Sequence, residues 1–451
     1  MGKFHIVTAV WGKRFLDRYL ATTLPTILSK NNVPEFSQAN DVEYFIYTTL
    51  QDQEYLVTSS LIMELKKYIP LHIVTNHYHP EKAKYDRVTS MYLAALKNSI
   101  EQKAGTIFLP PDGIWSDGTL VRISELAAEG YRAVLSADGL RVVKEDFMSL
   151  FEREFPRSDS GSISVSARKL MKLAISCLHP YEASIMWSAP VMHDVPFRLH
   201  WPVKGEGMVT RGFHVLPIFI HPETEVDGWV GALDHGLVEV AINDPTKIYY
   251  CYGTDEFAVV SIDELGFSAA NYKATGKNQR ILKIAKWAYR NATPQNLEAA
   301  KRPFRRNFVE PTEMLWNRVE RISQKNIYAV LSCRKLLAIG DAMVDHGANK
   351  AAAVLAYALN NLDITRWLKE PFPQTIIAPS DKAFKKTFES NVDMLLQTSE
   401  RKRFLRQFFR YVIVGIRSAD EISKDFGVTV EVGDIDVEDW RLQIIDSVLN
   451  Y

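Results

Sequence analysis

The sequence of 451 residues has few cysteines, no excess of charge of either sign and no long apolar run. Its three cysteines, Cys177, Cys251 and Cys333, lie far apart and form no CxxC pair. This argues against a disulfide framework or a zinc motif, and we expect free buried thiols in a reducing compartment. Basic and acidic residues both number 54, so the formal charge is zero. We therefore expect neither nucleic acid nor an anionic membrane surface as a partner.

The apolar segments are too short to cross a membrane. The longest, at residues 215–220 and 351–359, fall far below the roughly 20 residues that a transmembrane helix requires. The first residues pass directly into a strand pattern without a basic region followed by an apolar stretch, so no secretory signal is visible. These observations predict a cytoplasmic protein.

The first third of the chain alternates strand patterns with helical patterns. The predicted elements are strands at 4–10, 43–49, 71–75, 106–109 and 133–136, and helices at 15–28, 58–68, 88–103 and 120–129. Such alternation is typical of βαβ units, so we predict an α/β fold with a mainly parallel sheet flanked by helices.

The rest of the chain changes in character, and its length predicts two or three domains. Strand patterns return at 213–220 and 247–252, and Pro217 inside the first of these predicts either an edge strand or a bulge. The sequence pattern then divides the chain into a first domain at 1–265, a helical region at 266–348 and a small α+β domain at 349–451.

Several polar and aromatic residues follow the early strands at the points where these strands end. They are Ala9, Val10 and Trp11 after the first strand, Asp52 after the second, Arg87 at the start of the helix before the fourth strand, and Asp112 after the fourth. Ligands of open α/β sheets bind beyond the carboxyl ends of the strands. Trp11 could hold a base or ribose, Arg87 could pair with phosphate, and Asp112 could meet an anionic ligand and its metal. Packing, turn closure and an exposed charge are the competing interpretations of Trp11, Asp52 and Arg87.

Other polar residues are weaker candidates. Asp117 precedes a helical pattern, so it caps that helix or acts as a ligand. His214 and His221 are seven positions apart, on opposite faces of a regular strand, so one at most is a metal ligand. His214 is the better candidate of the two, but a surface or packed imidazole is the favoured interpretation. Asp234 and Asp255 lie in loops that contain glycine, where a carboxylate could act as a general base toward a sugar hydroxyl or could simply close a turn.

Residues 4 to about 265 resemble nucleotide-sugar glycosyltransferases of the GT-A fold. The resemblance rests on residues 6–12 (IVTAVWG), 84–87 (KYDR) and 108–112 (FLPPD). It implies that Thr8, Ala9, Val10 and Trp11 face the base and ribose of a nucleotide sugar and that Arg87 faces the phosphates. It further implies that Asp112 and a late histidine, matched by His214, hold Mn²⁺ or Mg²⁺. The Asp-x-Asp motif of that family reads Asp112-Gly113-Ile114 here, so the second carboxylate is missing unless Asp117 replaces it.

The last hundred residues resemble a fasciclin domain. The matching segments are residues 375–384 (TIIAPSDKAF), 408–415 (FFRYVIVG) and 443–449 (QIIDSVL). Such domains are usually adhesion modules, so this resemblance implies an interaction or docking module and a protein partner.

The leading functional hypothesis is a glycosyltransferase that moves a sugar from a nucleoside-diphosphate donor to the hydroxyl of a glycan or glycoconjugate acceptor, as in polysaccharide or glycoconjugate synthesis. The alternative is a non-catalytic module that binds a glycan or a protein on a degenerate transferase fold. Nucleotidyl transfer is a third hypothesis, but it generally uses a glycine-rich basic loop after the first strand, where this chain has only Lys13 and Arg14.

Overall fold

The structure is a computed structural model in which two compact units are distinguished. It describes residues 2–137, 139–226, 229, 232–233, 236–266, 273–361, 374–387, 412–414, 418–426 and 428–446. The first unit comprises residues 1–273 and 292–323, and the second comprises residues 274–291 and 324–451. The three-part division drawn from the sequence pattern stays a prediction.

The described part of the chain contains nineteen strands, which alternate with helices through the first third of the sequence. The strands are β1 (Lys3–Ala9), β2 (Asp41–Tyr47), β3 (Leu71–Val74), β4 (Gly105–Phe108), β5 (Gly113–Trp115), β6 (Ala133–Ser136), β7 (Leu140–Val143), β8 (Val191–Met192), β9 (Arg198–Val203), β10 (Gly207–Gly212), β11 (Leu216–Ile220), β12 (Ile248–Tyr250), β13 (Val259–Asp263), β14 (Lys273–Ala274), β15 (Phe304–Asn307), β16 (Gln374–Pro379), β17 (Val412–Val414), β18 (Val430–Val437) and β19 (Trp440–Ile445).

The α-helices are α1 (Lys13–Arg18), α2 (Leu24–Ile27), α3 (Val33–Ala39), α4 (Leu50–Val57), α5 (Ser60–Leu65), α6 (Lys84–Glu101), α7 (Thr119–Ala128), α8 (Lys144–Glu154), α9 (Ala167–Ser176), α10 (Pro180–Ser184), α11 (Leu237–Ala241), α12 (Lys277–Asn291), α13 (Pro294–Ala300), α14 (Glu313–Asp345), α15 (Asn349–Asn361), α16 (Asp381–Thr387) and α17 (Ala419–Phe426). A π-helix occupies Tyr19–Thr23 and a 3₁₀ turn occupies Pro245–Lys247.

The main sheet of the first unit has seven strands in the order β12-β6-β11-β4-β1-β2-β3. Strand β1 pairs in parallel with β2 and β4, β2 pairs in parallel with β3, and β6 pairs in parallel with β12. Only β11 runs antiparallel to its neighbours, β4 and β6. The predicted α/β fold with a mainly parallel sheet is therefore confirmed.

Strand β11 settles the alternatives for Pro217. It lies between two other strands, so it is not an edge strand, and its register against β6 shifts between Pro217 and Phe219. Proline has no amide hydrogen for the ladder, and a bulge accommodates that loss.

Two hydrophobic cores cover the two faces of this sheet. Ile6 belongs to one core with Leu24 and Ile123, and the adjacent Val7 belongs to the other with Leu96. Successive side chains of a strand point to opposite faces, and both faces of this sheet carry packed helices. Strand β1 therefore reads as a nearly continuous apolar run.

The helix predicted at residues 15–28 is interrupted in the structure by the π-helix at Tyr19–Thr23. Pro25 lacks the amide that would bond to the carbonyl of Ala21, four residues earlier. That carbonyl accepts a hydrogen bond from the guanidinium of Arg157 instead. The irregular helix thus follows from one proline in the sequence.

A small second sheet in the first unit places β13 between β5 and β7. Strand β5 pairs antiparallel with β13, so that Ile114 faces Val260. Ile114 is fully buried in a third hydrophobic core, which also contains Leu140 and Phe147. This sheet fixes the chain directly after the end of β4.

The described part of the second unit contains a four-stranded sheet in the order β17-β16-β19-β18, the helices α12, α15, α16 and α17, and residues 324–345 of α14. Strands β16 and β19, which carry parts of two fasciclin-like segments, are parallel neighbours. This arrangement is α+β, and the assignment to the fasciclin family stays a prediction.

Two further expectations concern the whole chain. All three cysteines are free and buried, which confirms the predicted thiols. Among the described helices, none has the length and apolar character needed to cross a bilayer.

Candidate functional site

A cavity of about 290 Å³ opens at the carboxyl edge of the main sheet. Its wall is formed by the segment after β1, the first turns of α6, the segment after β4, the start of β11 and a short stretch near residue 232. The lining residues are Ala9, Val10, Trp11, Phe15, Lys84, Tyr85, Val88, Thr89, Tyr92, Pro110, Pro111, Asp112, Leu216, Ala232 and Leu233. The predicted residues Ala9, Val10, Trp11 and Asp112 are thus brought together at one cavity.

The segment that carries Asp112 is held by a hydrogen bond on each of its carbonyl groups. Because Pro110 and Pro111 have no amide hydrogen, this turn must be fixed mainly through its acceptors. The Leu109 carbonyl accepts from Thr8 Oγ1 at 3.0 Å, and the Pro110 carbonyl accepts from the Gly113 amide at 3.2 Å. The Pro111 carbonyl accepts from Thr23 Oγ1 at 2.9 Å, and the Asp112 carbonyl accepts from the Ile262 amide at 3.1 Å. These bonds fix the backbone of the segment that carries the Asp112 side chain.

Thr8, predicted by resemblance to face a nucleotide, lies in the core beneath the cavity. Its hydroxyl group is 2.7 Å from the hydroxyl of Tyr44, which lies 2.9 Å from that of Tyr19. Burial raises the pKa of Tyr44 to about 12, so this phenol stays protonated and can donate. Thr8 thus positions the Leu109 carbonyl and does not itself line the cavity.

Residue 114, where the family motif has its second carboxylate, has its side chain in the core and not at the cavity. Ile114 stands there, and its side chain is 0% exposed in the core beside β13. A Cβ on Gly113 would lie 2.8 Å from the indole nitrogen of Trp115, so a larger residue at 113 would disturb that buried ring. Local packing therefore leaves Asp112 as the only acid of this motif.

Asp117 neither caps a helix nor replaces the missing acid. Helix α7 has Gly118 as its N-cap, with no side-chain capping bond, so the predicted cap was wrong. The Asp117 carboxylate accepts hydrogen bonds from Ser29 Oγ at 2.6 Å, from Asn31 N and Nδ2 at 3.1 and 2.9 Å, and from Ser164 Oγ at 3.2 Å. Asp117 therefore links the segments that contain Ser29, Asn31 and Ser164 to its own. A side chain from elsewhere in the chain bonds the start of α7, since Asn32 Oδ1 accepts a hydrogen bond from the Leu120 amide at 3.0 Å.

Helix α6 supplies the cation and the aromatic rim of the cavity. The ammonium nitrogen of Lys84 lies 5.1 Å from the ring centre of Phe15 and 5.8 Å from that of Tyr85. Tyr85 is 69% exposed although it lines the cavity. Burial, and secondarily the charge of Asp112, raises the pKa of Tyr92 well above its usual value, so its hydroxyl stays protonated.

Arg87 clamps the loop that leads into α6. Its Nε donates to the Lys82 carbonyl at 2.7 Å, Nη2 donates to the Pro80 carbonyl at 2.6 Å, and Nη1 donates to the Tyr78 hydroxyl at 3.1 Å. The guanidinium is not among the groups that line the cavity. Lys84, about one helical turn earlier, lines the cavity, where the sequence predicted Arg87.

Asp52 and Trp11 shape the loop after β1. Asp52 Oδ2 accepts hydrogen bonds from the Gly12 amide and from Thr49 Oγ1, both at 2.8 Å. Gly12 has φ 78°, a left-handed conformation that favours glycine. Trp11 packs edge-on against Tyr78 with ring centres 5.7 Å apart and also lines the cavity. Asp52 therefore orders the loop, while Trp11 lines the cavity.

Asp255 lies at a second cavity of the first unit, of about 230 Å³. Its carboxylate accepts hydrogen bonds from Arg168 Nε at 2.6 Å and from Asn307 Nδ2 at 2.9 Å. Burial would raise the pKa of Asp255, but these two bonds lower it below its usual value, which makes this group a weak base. The structure does not bring Asp255 to the first cavity, and Asp234 lies outside the described residues.

The groups around Asp112 do not match a complete protein site for a divalent metal. His214, the other predicted ligand, stacks its ring on Phe197 at 5.9 Å, and its amide donates to the Phe197 carbonyl. Asp112 is the only carboxylate or imidazole among the described residues that line the cavity. Across the described part of the chain, no cluster of three or more potential ligands is present. We therefore assign no catalytic step to a metal.

A buried ion network holds the turn after β6 at the same edge of the sheet. Glu182 contacts Arg198, and its Oε2 lies 2.8 Å from His200 Nε2. Arg198 also donates to the carbonyls of Gly139 and Ala137, at 3.0 and 3.3 Å. Burial opposes ionisation of Glu182, but Arg198 and His200 hold its pKa below the usual range, while burial lowers the pKa of His200 to about 4. At neutral pH this network is therefore a carboxylate, a guanidinium and a neutral imidazole.

Sequence reasoning missed Lys84, Tyr85 and Tyr92 as cavity residues. The signal that could have found them is helical spacing, since residues 84, 88 and 92 recur every fourth position and so share one face of α6. Their neighbours at 85 and 89 line the same cavity.

No family model matches the sequence, and no curated protein matches it. Among solved structures, TarS from S. aureus is 11% identical over 73% of this chain and 43% of that chain, with a TM-score of 0.25. Residues 1–349 of TarS are 11% identical over 96% of this chain and 94% of that chain, with a TM-score of 0.24. Mannosyltransferase PcManGT from Pyrobaculum calidifontis, in complex with GDP-Man and Mn²⁺, is 13% identical over 81% and 82%, with a TM-score of 0.26.

The chain thus spans less than half of the TarS chain in the first of these comparisons. At TM-scores this low the likenesses carry no argument, and the functional conclusion rests on the geometry of the cavity.

Proposed function

We propose that the first unit is a GT-A-like glycosyltransferase domain that binds a nucleoside-diphosphate sugar in the Asp112 cavity and transfers the sugar to an acceptor hydroxyl. The observation that carries this proposal is the joint placement of Trp11, Lys84 and Asp112 around one cavity at the carboxyl edge of the sheet. This edge is where open α/β sheets bind nucleotides. The described lining residues supply an aromatic wall, one cation and one anion among mainly apolar side chains.

The two charged groups suit different parts of such a ligand. An ammonium group attracts the diphosphate, whereas a carboxylate would repel it and instead accepts hydrogen bonds from ribose or sugar hydroxyls. The indole of Trp11 and the ring of Tyr85 offer flat apolar surfaces to a base or a sugar ring. We therefore propose that Lys84 binds phosphate and that Asp112 binds hydroxyl groups.

The transfer itself exchanges one bond at the anomeric carbon for another. The acceptor oxygen bonds to that carbon, the bond from the carbon to the diphosphate oxygen breaks, and the nucleoside diphosphate leaves with the electron pair. The acceptor proton passes to a carboxylate. Our candidate base is Asp234, which follows the lining residue Leu233 in the sequence. Asp255, hydrogen-bonded to Arg168 at the second cavity, is not proposed for this role.

Isothermal titration against UDP, GDP, CDP and dTDP, with and without Mn²⁺, tests the proposal. We expect at least one diphosphate to bind the protein and the corresponding sugar nucleotide to be turned over in the presence of a glycan acceptor or, more slowly, of water. If none of the four nucleotides binds under either condition, the proposal fails.

A non-catalytic binding module is the second candidate, and the burial of Ile114 favours it because the second acid of the family motif is absent. Turnover of a sugar nucleotide that disappears in Asp112→Ala, with circular dichroism unchanged, would exclude this candidate. For the second unit we propose an interaction module that binds a protein partner, on the fasciclin-like resemblance of its sequence alone.

A further inference from the structure

We infer that the cavity binds the diphosphate of its ligand without a divalent metal ion, and that the ammonium group of Lys84 supplies the positive charge. This inference rests on the proposed function, because it concerns how the same cavity neutralises the leaving diphosphate. It departs from the metal-binding role that the sequence resemblance implies for Asp112 and His214.

The supply of carboxylates is the first argument. A magnesium-like ion on a nucleotide is usually held by one or two protein carboxylates in near-octahedral geometry. Here the second acid of the motif is replaced by Ile114, whose side chain is fully buried among apolar residues. Asp117 is tied to Ser29, Asn31 and Ser164 by its own hydrogen bonds. Within the described part of the cavity wall, one acid therefore remains and no imidazole accompanies it, so this wall offers a metal ion the minimum of protein ligands.

The position of Lys84 is the second argument. Lys84 lines the same cavity as Asp112, and that cavity measures about 290 Å³. A divalent ion bound there would share the cavity with the ammonium group, and two cations repel each other in an apolar surrounding. A lysine and a metal ion are thus alternative ways to meet the same diphosphate.

The start of helix α6 is the third argument. Helix α6 is 18 residues long, and its first residue, Lys84, lines the cavity. The N-cap residue is Ala83, which has no side chain able to bond the first amides of the helix. The amino end of a helix carries a partial positive charge and amide donors that favour phosphate. The helix and the lysine therefore present positive charge at one place.

Two contacts keep the ammonium group in that place. The rings of Phe15 and Tyr85 both lie under it at cation–π distance. The Arg87 guanidinium binds the loop before α6 at Tyr78, Pro80 and Lys82, so the start of the helix is fixed. Arg87 acts here as a positioning residue.

The test compares the affinity of the wild-type protein for the tightest-binding nucleoside diphosphate in EDTA and in Mn²⁺, by isothermal titration. The free nucleoside serves as a probe that lacks the diphosphate. We expect the two diphosphate affinities to agree within about threefold, because the ammonium needs no metal. In Lys84→Met the diphosphate affinity should fall by about tenfold or more while that of the nucleoside is unchanged.

Two variants serve as controls for charge and for fold. Lys84→Arg keeps a cation at the site and should retain most of the affinity. Lys66→Met removes the same charge at the exposed end of α5 and should leave the affinity within about twofold. Thermal unfolding of each variant shows whether the fold is intact.

The possible failures are distinguishable. If the diphosphate binds only with Mn²⁺, or if Lys84→Met binds as well as the wild type in EDTA, the inference is overturned and the proposed function stands. If no nucleotide binds in EDTA or in Mn²⁺, the proposed function is overturned as well.

Discussion

The Asp112 cavity and the Asp255 cavity of the first unit differ in how their charged residues are arranged. The wall of the Asp112 cavity is mainly apolar and aromatic, with one lysine and one aspartate among its described lining residues. The wall of the Asp255 cavity is mainly charged, and its acids are bound by arginines within the same unit. A ligand at the second cavity would have to displace these ion pairs, whereas a ligand at the first would meet Lys84 and Asp112 in a mainly apolar surrounding, where electrostatic attraction is strong. The comparison teaches that the number of acids at a cavity is a poor guide to its chemistry.

The largest expected effect comes from an attempt to give the first cavity its missing acid. Ile114→Asp should reduce the free energy of unfolding by about 3–5 kcal/mol, because it places an uncompensated carboxylate in the core. Urea denaturation measures this loss. The matched control, Ile114→Val, should lose only about 0.5–1.5 kcal/mol. Equal stability of the two variants would mean that position 114 does not face the core.

Removal of the acid of the first cavity should have the next largest effect. Asp112→Ala should lower the rate of sugar transfer or sugar-nucleotide hydrolysis by about 10- to 100-fold, because the ligand loses hydrogen bonds to a charged acceptor and no other described lining residue carries a carboxylate. Asp112→Asn keeps the shape and tests the charge. Activity within a few fold of the wild type in both variants would contradict the assignment of the cavity.

Thr8 tests whether the core beneath the first cavity sets its geometry. Thr8→Val removes the hydroxyl that bonds the Leu109 carbonyl, and should cost about 1–2 kcal/mol of stability and weaken nucleotide binding. Thr8→Ser retains the hydroxyl and should restore binding. Stability is measured by urea denaturation and binding by titration. If Val and Ser behave alike, the hydroxyl does not position the Asp112 segment.

The clamp formed by Arg87 should have a smaller effect. In Arg87→Met the loop loses three hydrogen bonds, so Lys84 is held less firmly and nucleotide affinity should fall by about three- to tenfold. Limited proteolysis near residue 80 should become faster. Arg153→Met, at an exposed position of α8, is the control and should change neither result. If proteolysis becomes faster but the nucleotide affinity is unchanged, Arg87 holds the loop but does not position Lys84 for nucleotide binding.

The second cavity provides the smallest expected effect. Asp255→Asn should leave transfer within about twofold and cost less than about 1 kcal/mol at neutral pH, because its ion pair with Arg168 is half exposed. The pKa of Asp255 is lower in the folded protein than in the unfolded chain. The ion pair therefore contributes to stability above pH of about 4 and its contribution is lost as the pH falls through the folded pKa. A large loss of sugar-transfer activity in Asp255→Asn would support Asp255 as the catalytic base and contradict its exclusion here.

The strands and the place of Asp112 could be predicted because they depend on local pattern. An apolar run that ends on two prolines and an acid shows where a buried strand stops, and the topology of α/β folds places that point at the ligand edge. The bulge at Pro217 was likewise one of two outcomes open to a proline in a strand.

The roles of the polar residues could not be predicted because their partners are distant in the sequence. Thr8 bonds Leu109, 101 positions later, and Asp52 bonds Gly12, 40 positions earlier. Asp117 reaches Ser29 across 88 positions. Each side chain has the chemistry of a ligand-binding group, and only the folded arrangement shows that a neighbouring chain segment already uses it.

The burial of Ile114 restricts how this lineage can change. A single codon change that creates an acid at 114 would first be removed through misfolding, whatever benefit it brought to nucleotide binding. Both faces of the three-residue strand β5 are buried, because Ile114 lies in one core and Trp115 in another. A register shift of one position would therefore move residue 114 from one core into the other and not to the cavity. Homologues that possess both acids should therefore differ from this chain in loop length as well as in residue type.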